Sequence, residues 1–554
     1  MTRPWWHDTV IYHIYPRSFY DANGDGYGDL PGIIEKLPYL RDLGIGAIWM
    51  GPVFSSPQVD NGYDVSDYRR IDPLFGTNAD MDRLIESADR HGIRVLLDLV
   101  FNHSSDRHPW FEASRSRPAG KYGDYYIWRD AAPDGSEPNE WRSVFGGSAW
   151  DWSEDRHQFY LHLFAREQPD LNWENPAVRA ELRDIANYWL DRGVAGFRMD
   201  VINFISKSAD DYIDGPRFLE FIAEFRAGLR NGGEVLLVGE TPGINAERAA
   251  AYTDPDAGAL DMVLLFDHLR LDHGPGGRWD PVPWRHEDLR RNMEYEQRLL
   301  KRAWPSIYLS NHDQPRIVSR YGNEQEYRYE SATALATVFY LQRGTPILYQ
   351  GDEIAMRNIP IEEATQIVDI ESGNAYRELV QEKGLSPEEA LRRVRRIARD
   401  NGRTPMQWSG ADNAGFTPRG ATASPWYPVN PDYPEWNVAA QDESGTVRWY
   451  IRELLALRRD DVTLRHGEFE LVHEPEDSPV VAYRRRRVNG TVLVVANLSD
   501  GVVGFPFTNG SILLSNYSDS PVESTSLLRP WECRVLAENL HRVGGIHTMT
   551  VEKT

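Results

Sequence analysis

Carboxylate and imidazole side chains follow several short apolar runs of the sequence, at the point where each run ends. In chain order they are His103, Asp200, Glu240, His312 and Asp313. A single Asp after a strand is usually a turn residue or a helix cap. Five such residues at equivalent positions indicate a catalytic site instead. A pair of carboxylates can hydrolyse a glycosidic bond, because one attacks the anomeric carbon while the other protonates the departing oxygen.

Arg198 stands two positions before Asp200 and therefore points to the same face of the predicted strand. A guanidinium next to a carboxylate favours the ionised form of that carboxylate. We therefore expect Arg198 to keep Asp200 ionised, as a nucleophile requires.

The apolar runs alternate with amphipathic stretches along most of the chain. The predicted strands are Ala47–Met50, Val95–Phe101, Val194–Met199, Val235–Gly239, Met262–Phe266, Ser306–Leu309 and Thr345–Tyr349. The predicted helices between them are Ile33–Leu43, Ala79–His91, Pro176–Arg192, Pro216–Arg230 and Leu289–Arg302. About eight such units over roughly 400 residues predict an α/β fold, a (β/α)8 TIM barrel whose strands all end at one mouth.

Two regions interrupt this alternation and divide the chain into domains. We expect barrel domain A at 1–103 and 174–462, and an inserted domain B at 104–173, which is too long for a loop. A charged helical pattern at about 361–399 predicts helices inserted after the last strand. Short alternating runs with Asn-Gly and Asp-Gly turns predict an antiparallel β-sandwich, domain C, at 463–554.

The first turn carries oxygen-bearing residues at alternate positions. They are Asp21, Asn23, Asp25, Tyr27 and Asp29, with Gly26 at the sixth position. This pattern matches the first half of an EF-hand calcium loop, although Gly32 stands where position 12 needs a Glu. We expect a structural Ca²⁺ ion here and no organic cofactor; a polar turn without metal is the alternative.

The composition limits the kinds of partner. With 61 basic and 84 acidic residues, the formal net charge is −23, which argues against nucleic acid and anionic membranes and suits a neutral small molecule. The sequence shows no secretory signal pattern and no apolar run of ~18 residues. One cysteine, Cys533, fits a reducing compartment. We expect a cytoplasmic monomer or weak homo-oligomer.

Nine stretches of the chain resemble the α-amylase family of glycoside hydrolases in order and spacing, and within it the oligo-1,6-glucosidases and dextran glucosidases. They are IYPRSF (14–19), DNGYDVSDY (60–68), DLVFNH (98–103), QPDLNW (168–173), GFRMDVINF (196–204), GETPG (239–243), LSNHDQPR (309–316), GTPILYQGDEIAM (344–356) and RDNGRTPMQW (399–408). The resemblance covers essentially the whole chain. It implies a catalytic barrel with an inserted domain B and a C-terminal β-sandwich, and calcium at the first turn.

The resemblance also assigns roles to single residues. Asp200 matches the nucleophile, Glu240 the general acid/base and Asp313 the third carboxylate, which stabilises the transition state. Residues that match the binding site of the non-reducing glucose are Asp60, Tyr63, His103, Arg198, His312, Arg399 and Arg403, and Phe145 and Phe164 match the pocket lining. Such a closed end makes an enzyme exo-acting. For the last two arginines a structural ion pair is the alternative, and for the two phenylalanines plain packing.

Val201 directly follows the predicted nucleophile. Within the resembled group, Val at this position goes with α-1,6 preference and Thr with α-1,4. The resemblance therefore implies a retaining α-glucosidase that hydrolyses isomalto-oligosaccharides. Alternatives are an α-1,4-active or broad α-glucosidase, a sucrose isomerase or other transglucosylase, a trehalose-6-phosphate hydrolase, and an inactive transport-associated relative, although the last would lack the three carboxylates.

Overall fold

The computed structural model describes residues 3–208, 210–488, 490–507, 510–519 and 527–538. Its centre is a barrel of eight parallel strands in the order 6-5-4-3-2-1-8-7. The strands are Ile11–Ile14 (β1), Ala47–Met50 (β2), Arg94–Leu99 (β3), Gly196–Met199 (β4), Leu236–Glu240 (β5), Met262–Leu264 (β6), Ser306–Tyr308 (β7) and Thr345–Tyr349 (β8). The predicted TIM barrel is confirmed. Strand β1 was not predicted, because Ile11–Ile14 is buried at every position and shows no alternation.

Side chains close the barrel between β6 and β7, the two ends of the hydrogen-bonded strand order. Ser306 Oγ donates to the Val263 carbonyl at 2.6 Å. Tyr308 Oη donates to the Leu265 carbonyl, also at 2.6 Å. We call this junction the β6–β7 seam.

Helices surround the barrel and fill the two interruptions. They are Leu30–Asp42 (α1), Asn78–Arg90 (α2), Pro109–Ser116 (α3), Pro176–Leu190 (α4), Phe218–Ala227 (α5), Ala246–Tyr252 (α6), His286–Leu299 (α7), Ile317–Tyr321 (α8), Arg328–Tyr340 (α9), Ile370–Gln381 (α10), Pro387–Ile397 (α11), Val447–Asp460 (α12) and Val462–His466 (α13). Asn175 caps α4 by accepting from Ala177 N, and Pro176 opens the helix. In the described part of the chain, every helix is too short or too polar to span a bilayer.

Smaller sheets lie outside the barrel. Between β3 and α4, the strands Trp128–Arg129, Gln158–Leu161 and Trp150–Ser153 form an antiparallel sheet in that order. The pairs Phe54–Ser55 with Asp67–Ile71 and His273–Gly274 with Gly277–Pro281 form two short ribbons. The ribbon at 273–281 lies between β6 and α7 and carries residues to the barrel mouth.

The C-terminal part is an antiparallel five-stranded sheet. Its order is Glu468–Leu471, Val480–Arg487, Gly490–Asn497, Cys533–Glu538 and Gly510–Ser515, and Val503–Gly504 pairs with Leu527–Leu528. One face packs on this second pair, and the other belongs to the core that contains α9. The predicted domain start at 463 falls inside α13, so the first strand begins only at Glu468. Residues 539–554 of the predicted domain lie outside the described residues.

Candidate active site

A cavity of about 340 Å³ opens at the C-terminal mouth of the barrel. Ten of the residues expected from the sequence line it: Asp60, Tyr63, His103, Phe145, Phe164, Asp200, Val201, Glu240, Asp313 and Arg399. Arg198, His312 and Arg403 lie behind this lining and contact it. The structure therefore gathers into one site residues that lie more than 300 positions apart in the sequence.

Arg198, on β4, contacts three carboxylates at once. Its Nη1 lies 2.8 Å from Asp98 Oδ1 and 2.7 Å from Asp200 Oδ1. Its Nη2 lies 2.5 Å from Glu240 Oε2. All four side chains are buried, and the strand register places Arg198 opposite Asp98. Because one guanidinium holds both Asp200 and Glu240, the two acids proposed for catalysis lie side by side.

Burial dominates the electrostatics of this group. It raises the pKa of Asp200 well above its usual value, although Arg198 opposes the shift, and it raises the pKa of Asp98 to about 6. Arg198 acts on Asp200 in the expected direction, but it is one cation that faces three neighbouring acids. Asp98 and Asp200 contact the same cation, so protonation of either one affects the other.

The backbone between the two acids is strained. Val201 has φ 35° and ψ 42°, in the left-handed region that a β-branched residue rarely adopts, and such a conformation costs about 1–3 kcal/mol. The turn aims the Val201 N–H at Glu240, whose Oε2 accepts it at 3.0 Å. The strained residue thus positions the second carboxylate while its side chain lines the cavity.

Two arginines hold Asp313. Arg399 Nε and Arg403 Nη2 each lie 2.8 Å from Asp313 Oδ1. Burial favours the protonated acid, but Arg399, His312 and Arg403 outweigh it and hold the pKa of Asp313 well below its usual value. Arg403 is 1% exposed and acts only through Asp313 and its other partners, so the ion-pair alternative describes it well. Arg399 both makes ion pairs and faces the cavity.

Asp60 lines the cavity beside Arg399 and Gln168. Its Oδ1 lies 3.6 Å from Arg399, and its Oδ2 accepts from Gln168 Nε2 at 3.2 Å. Gln168 also lies 3.2 Å from His103 Nε2. Burial raises the pKa of Asp60 to about 7 and lowers the pKa of His103 to about 4. At neutral pH the histidine is therefore an uncharged partner for hydroxyl groups.

Aromatic rings form the remaining walls. The Tyr63 ring lies parallel to the His312 ring, with 5.5 Å between centroids. Phe164 meets Phe145 edge-on at 5.4 Å and approaches the His103 ring at 5.0 Å. Both phenylalanines belong to an apolar cluster as well as to the cavity lining, so they pack and line at once. Aromatic faces next to polar groups suit a sugar ring.

The sequence analysis missed three residues that hold this site together. Asp98 pairs with Arg198, and its signal was a single acid inside an apolar run. Asp369, which caps α10, lies 3.4 Å from Arg399 and 3.2 Å from Arg403. Gln168 was part of a recognised motif but had no assigned contact. Because Asp369 follows no strand, a search of strand ends could not find it.

In the predicted metal loop, the side-chain oxygens accept hydrogen bonds from backbone N–H groups of the same loop. Asp21 accepts from the N–H groups of Gly24 at 2.6 Å and Gly26 at 2.8 Å. Asn23 accepts from Asp25 N, Asp25 from Tyr27 N, and Asp29 from Gly32 N at the start of α1. The oxygen donors suit Ca²⁺ in kind. However, among the described residues no group of three or more acidic, His or Cys side chains is placed to hold a metal ion, so the fit is incomplete.

Comparisons with known proteins agree with this geometry. Residues 13–467 match the family described as "Alpha amylase, catalytic domain", and residues 473–535 match a domain of unknown function, DUF3459. An oligo-1,6-glucosidase of Parageobacillus thermoglucosidasius is 45% identical over 97% of this chain and 99% of its own. The trehalose-6-phosphate hydrolase of Escherichia coli is 42% identical over 95% and 98%.

A solved structure extends the similarity to the fold. The isomaltulose synthase of Klebsiella sp. LX3 superposes with a TM-score of 0.93 at 37% identity, over 97% of this chain and 100% of that one. The family match spans most of the chain and includes every residue that lines the cavity. The chain belongs to the α-amylase family of glycoside hydrolases.

Proposed function

We propose that this protein is an exo-acting, retaining α-glucosidase that removes glucose from the non-reducing end of isomalto-oligosaccharides. The observation that carries the proposal is the pair Asp200 and Glu240, held by one guanidinium at the mouth of a barrel. The oligo-1,6-glucosidase relative supports the α-1,6 linkage. Asp60, Tyr63 and His103 line the cavity and match residues that hold the non-reducing glucose in the resembled family, which supports removal of terminal sugars.

The residues suggest a double displacement. In the first step Asp200, as the carboxylate, attacks the anomeric carbon while Glu240, as the acid, protonates the leaving oxygen. Glu240 then takes a proton from water, and that water releases glucose from Asp200. Asp313 stays ionised and accepts from sugar hydroxyls as charge develops on the ring. A sugar hydroxyl that replaces the water would give transglucosylation.

A substrate panel tests the proposal. Isomaltose, maltose, sucrose, trehalose-6-phosphate and dextran are offered to the wild type, to Asp200→Asn and to the exposed control Asp184→Asn. We expect isomaltose to be cleaved with the highest kcat/KM, and Asp200→Asn to lose about 10⁴-fold or more. Substantial activity in Asp200→Asn would contradict the mechanism, and maltose cleaved as well as isomaltose would contradict the linkage.

The same panel covers the alternatives. Isomaltulose formed from sucrose would indicate an isomerase, which a structural neighbour is named for. Trehalose-6-phosphate needs a cationic subsite. Three basic residues that line the cavity are Arg270, His273 and Arg278. Arg278 is paired with Glu371 at 3.0 Å. Burial lowers the pKa of His273 to about 4, so it is uncharged at neutral pH. Among the described residues that line the cavity, Arg270 is the arginine without an ion pair, and one cation is a weak subsite for a phosphate, which disfavours that substrate.

We further propose that Ca²⁺ binds at Asp21, Asn23, Asp25, Tyr27 and Asp29, where burial raises the pKa of Asp29 to about 6 and a cation would offset that cost. Its role would be structural. A Tm that is higher in CaCl₂ than in EDTA for the wild type, but not for Asp21→Asn, would support it.

The single cysteine, which is buried and forms no disulfide, is consistent with a cytoplasmic location.

A further inference from the structure

A second cleft lies beside the catalytic cavity, where domain B meets the barrel. It has a volume of about 680 Å³, within the range of roughly 300–1,000 Å³ typical of ligand sites. Three tryptophans line it, Trp141, Trp150 and Trp173, together with Arg129 and Asn139. None of these five residues lines the catalytic cavity. We call it the tryptophan cleft.

One amide orients two of the tryptophans. Asn139 Oδ1 accepts from Trp150 Nε1 at 2.7 Å and from the backbone N–H of Trp141 at 3.0 Å. The two indole rings lie nearly parallel, 20° apart, with 6.3 Å between centroids. Trp141 is partly exposed, so one ring is accessible. In the described part of the chain, the Asn139 Nδ2 group has no partner and is available to an incoming acceptor.

Two of the three charged side chains that line the cleft are paired with opposite charges. Lys207 Nζ lies 2.9 Å from Asp170 Oδ2 and also donates to the carbonyl of Phe204 at 2.6 Å. Glu174 pairs with Arg217. Lys207 and Glu174 are therefore paired, and Arg129, whose Nη1 donates to the Trp128 carbonyl at 2.8 Å, has further N–H groups for a ligand. Accessible indole next to amide and guanidinium donors matches the apolar faces and hydroxyl edges of a hexose.

The cleft and the catalytic cavity share one aromatic wall. Trp141 meets Tyr212 edge-on at 5.4 Å, and Tyr212 meets Phe204 at 5.6 Å. Phe204 in turn stacks on Phe164 at 6.0 Å. Tyr212, Phe204 and Phe164 line the catalytic cavity. An α-glucan held in the cleft would thus lie next to the site that trims its end.

We propose that the tryptophan cleft is a second, non-catalytic binding site for a short segment of α-linked glucan, with Trp141 as its stacking platform. This rests on the proposed function, since the ligand is the polymeric form of the proposed substrate. The site would raise the local concentration of long chains without taking part in bond cleavage.

Isothermal titration calorimetry with isomaltoheptaose tests the proposal in the Asp200→Asn protein, where the ligand is not consumed. We expect two classes of binding site in Asp200→Asn. The double variant Asp200→Asn/Trp152→Ala is the control and should also show two classes, because Trp152 is exposed and lies outside the cleft, on the strand that carries Trp150. Adding Trp141→Ala should remove one class. Adding Arg129→Ala, an exposed change that spares the packing, should weaken that class several-fold.

The outcomes separate the two proposals. A single class of site in Asp200→Asn, or two classes that survive Trp141→Ala in a folded protein, would overturn the second site. Failure of the wild type to hydrolyse isomaltose would instead count against the proposed function, while a class of site lost with Trp141 would still support the cleft.

Discussion

Few charged side chains decide what this site does, and burial sets their behaviour. The sequence could place Asp200, Glu240 and Asp313 together, because strand ends meet at one mouth of a barrel. It could not indicate how deep each side chain lies. Burial raises the pKa of Asp200, because its one cation, Arg198, is shared with two other acids. The pKa of Asp313 is lowered instead, because two arginines face this single acid and outweigh the effect of burial.

Asp60 should make stability depend on pH. Its pKa of about 7 in the folded protein exceeds the unfolded value, so the folded state binds more protons between about pH 4 and 7. The stability of the wild type relative to Asp60→Asn should therefore fall as pH rises, on the order of 3 kcal/mol between pH 5 and pH 8. Urea melts of both proteins at the two pH values measure it, with Asp67→Asn as the exposed control. A pH-independent difference would contradict it.

Val201 should control the linkage. Its side chain occupies the cavity next to both acids, so Val201→Ala opens space for an α-1,4-linked leaving sugar. We expect the ratio of kcat/KM for maltose to that for isomaltose to rise about tenfold, the effect of one or two methyl groups in a pocket. Ile202→Val, a buried change one position away and outside the cavity, should leave the ratio unchanged. An unchanged ratio in Val201→Ala would assign specificity elsewhere.

Helix starts and strand ends together build the site. The strand-end residues were accessible from periodicity, because short apolar runs and helical stretches alternate clearly. Asp369 was not, because it caps an inserted helix, α10, that the barrel pattern does not require. Asp98 was hidden for another reason: it lies within β3, and only the register with β4 shows its partner.

The cap of α10 allows its two roles to be separated. Asp369→Asn keeps an oxygen that can accept from Ser372 N, whereas Asp369→Ala does not. Both remove a carboxylate from Arg399 and Arg403, so both should lower kcat/KM for isomaltose to a similar extent. Only the alanine variant should lose, in addition, about 1 kcal/mol of free energy of unfolding. Equal stability of the two variants in urea melts would exclude the capping role.

The molecule as a whole combines a predictable barrel with additions that need three dimensions. The barrel and the antiparallel C-terminal sheet follow from periodicity and turn residues. The packing of that sheet on α9 brings together residues that are far apart in sequence. No local sequence pattern predicts this contact. The same is true of the β6–β7 seam, since it depends on two side-chain hydroxyl groups rather than on strand pairing.

The seam should contribute measurably to stability. Tyr308→Phe leaves the Leu265 carbonyl without its donor, which should cost about 1–3 kcal/mol in a buried setting. Tyr340→Phe is the matched control, because the Tyr340 hydroxyl is buried without a partner among the described residues. Thermal melts should show a lower Tm for Tyr308→Phe than for Tyr340→Phe. Equal Tm values would mean that the seam is held by packing alone.

A barrel closed by hydroxyl groups along one line has a lengthwise split in its wall. Separating any other pair of neighbouring strands must break several backbone hydrogen bonds at once. At the β6–β7 seam, rotation of two side chains breaks the hydrogen bonds that join the strands. Transient widening is therefore cheapest between β6 and β7, one strand away from β5, which carries Glu240 at its end. The backbone amides that border the split should exchange with deuterium earlier than those of β2 and β3, and breathing of the catalytic mouth would begin there.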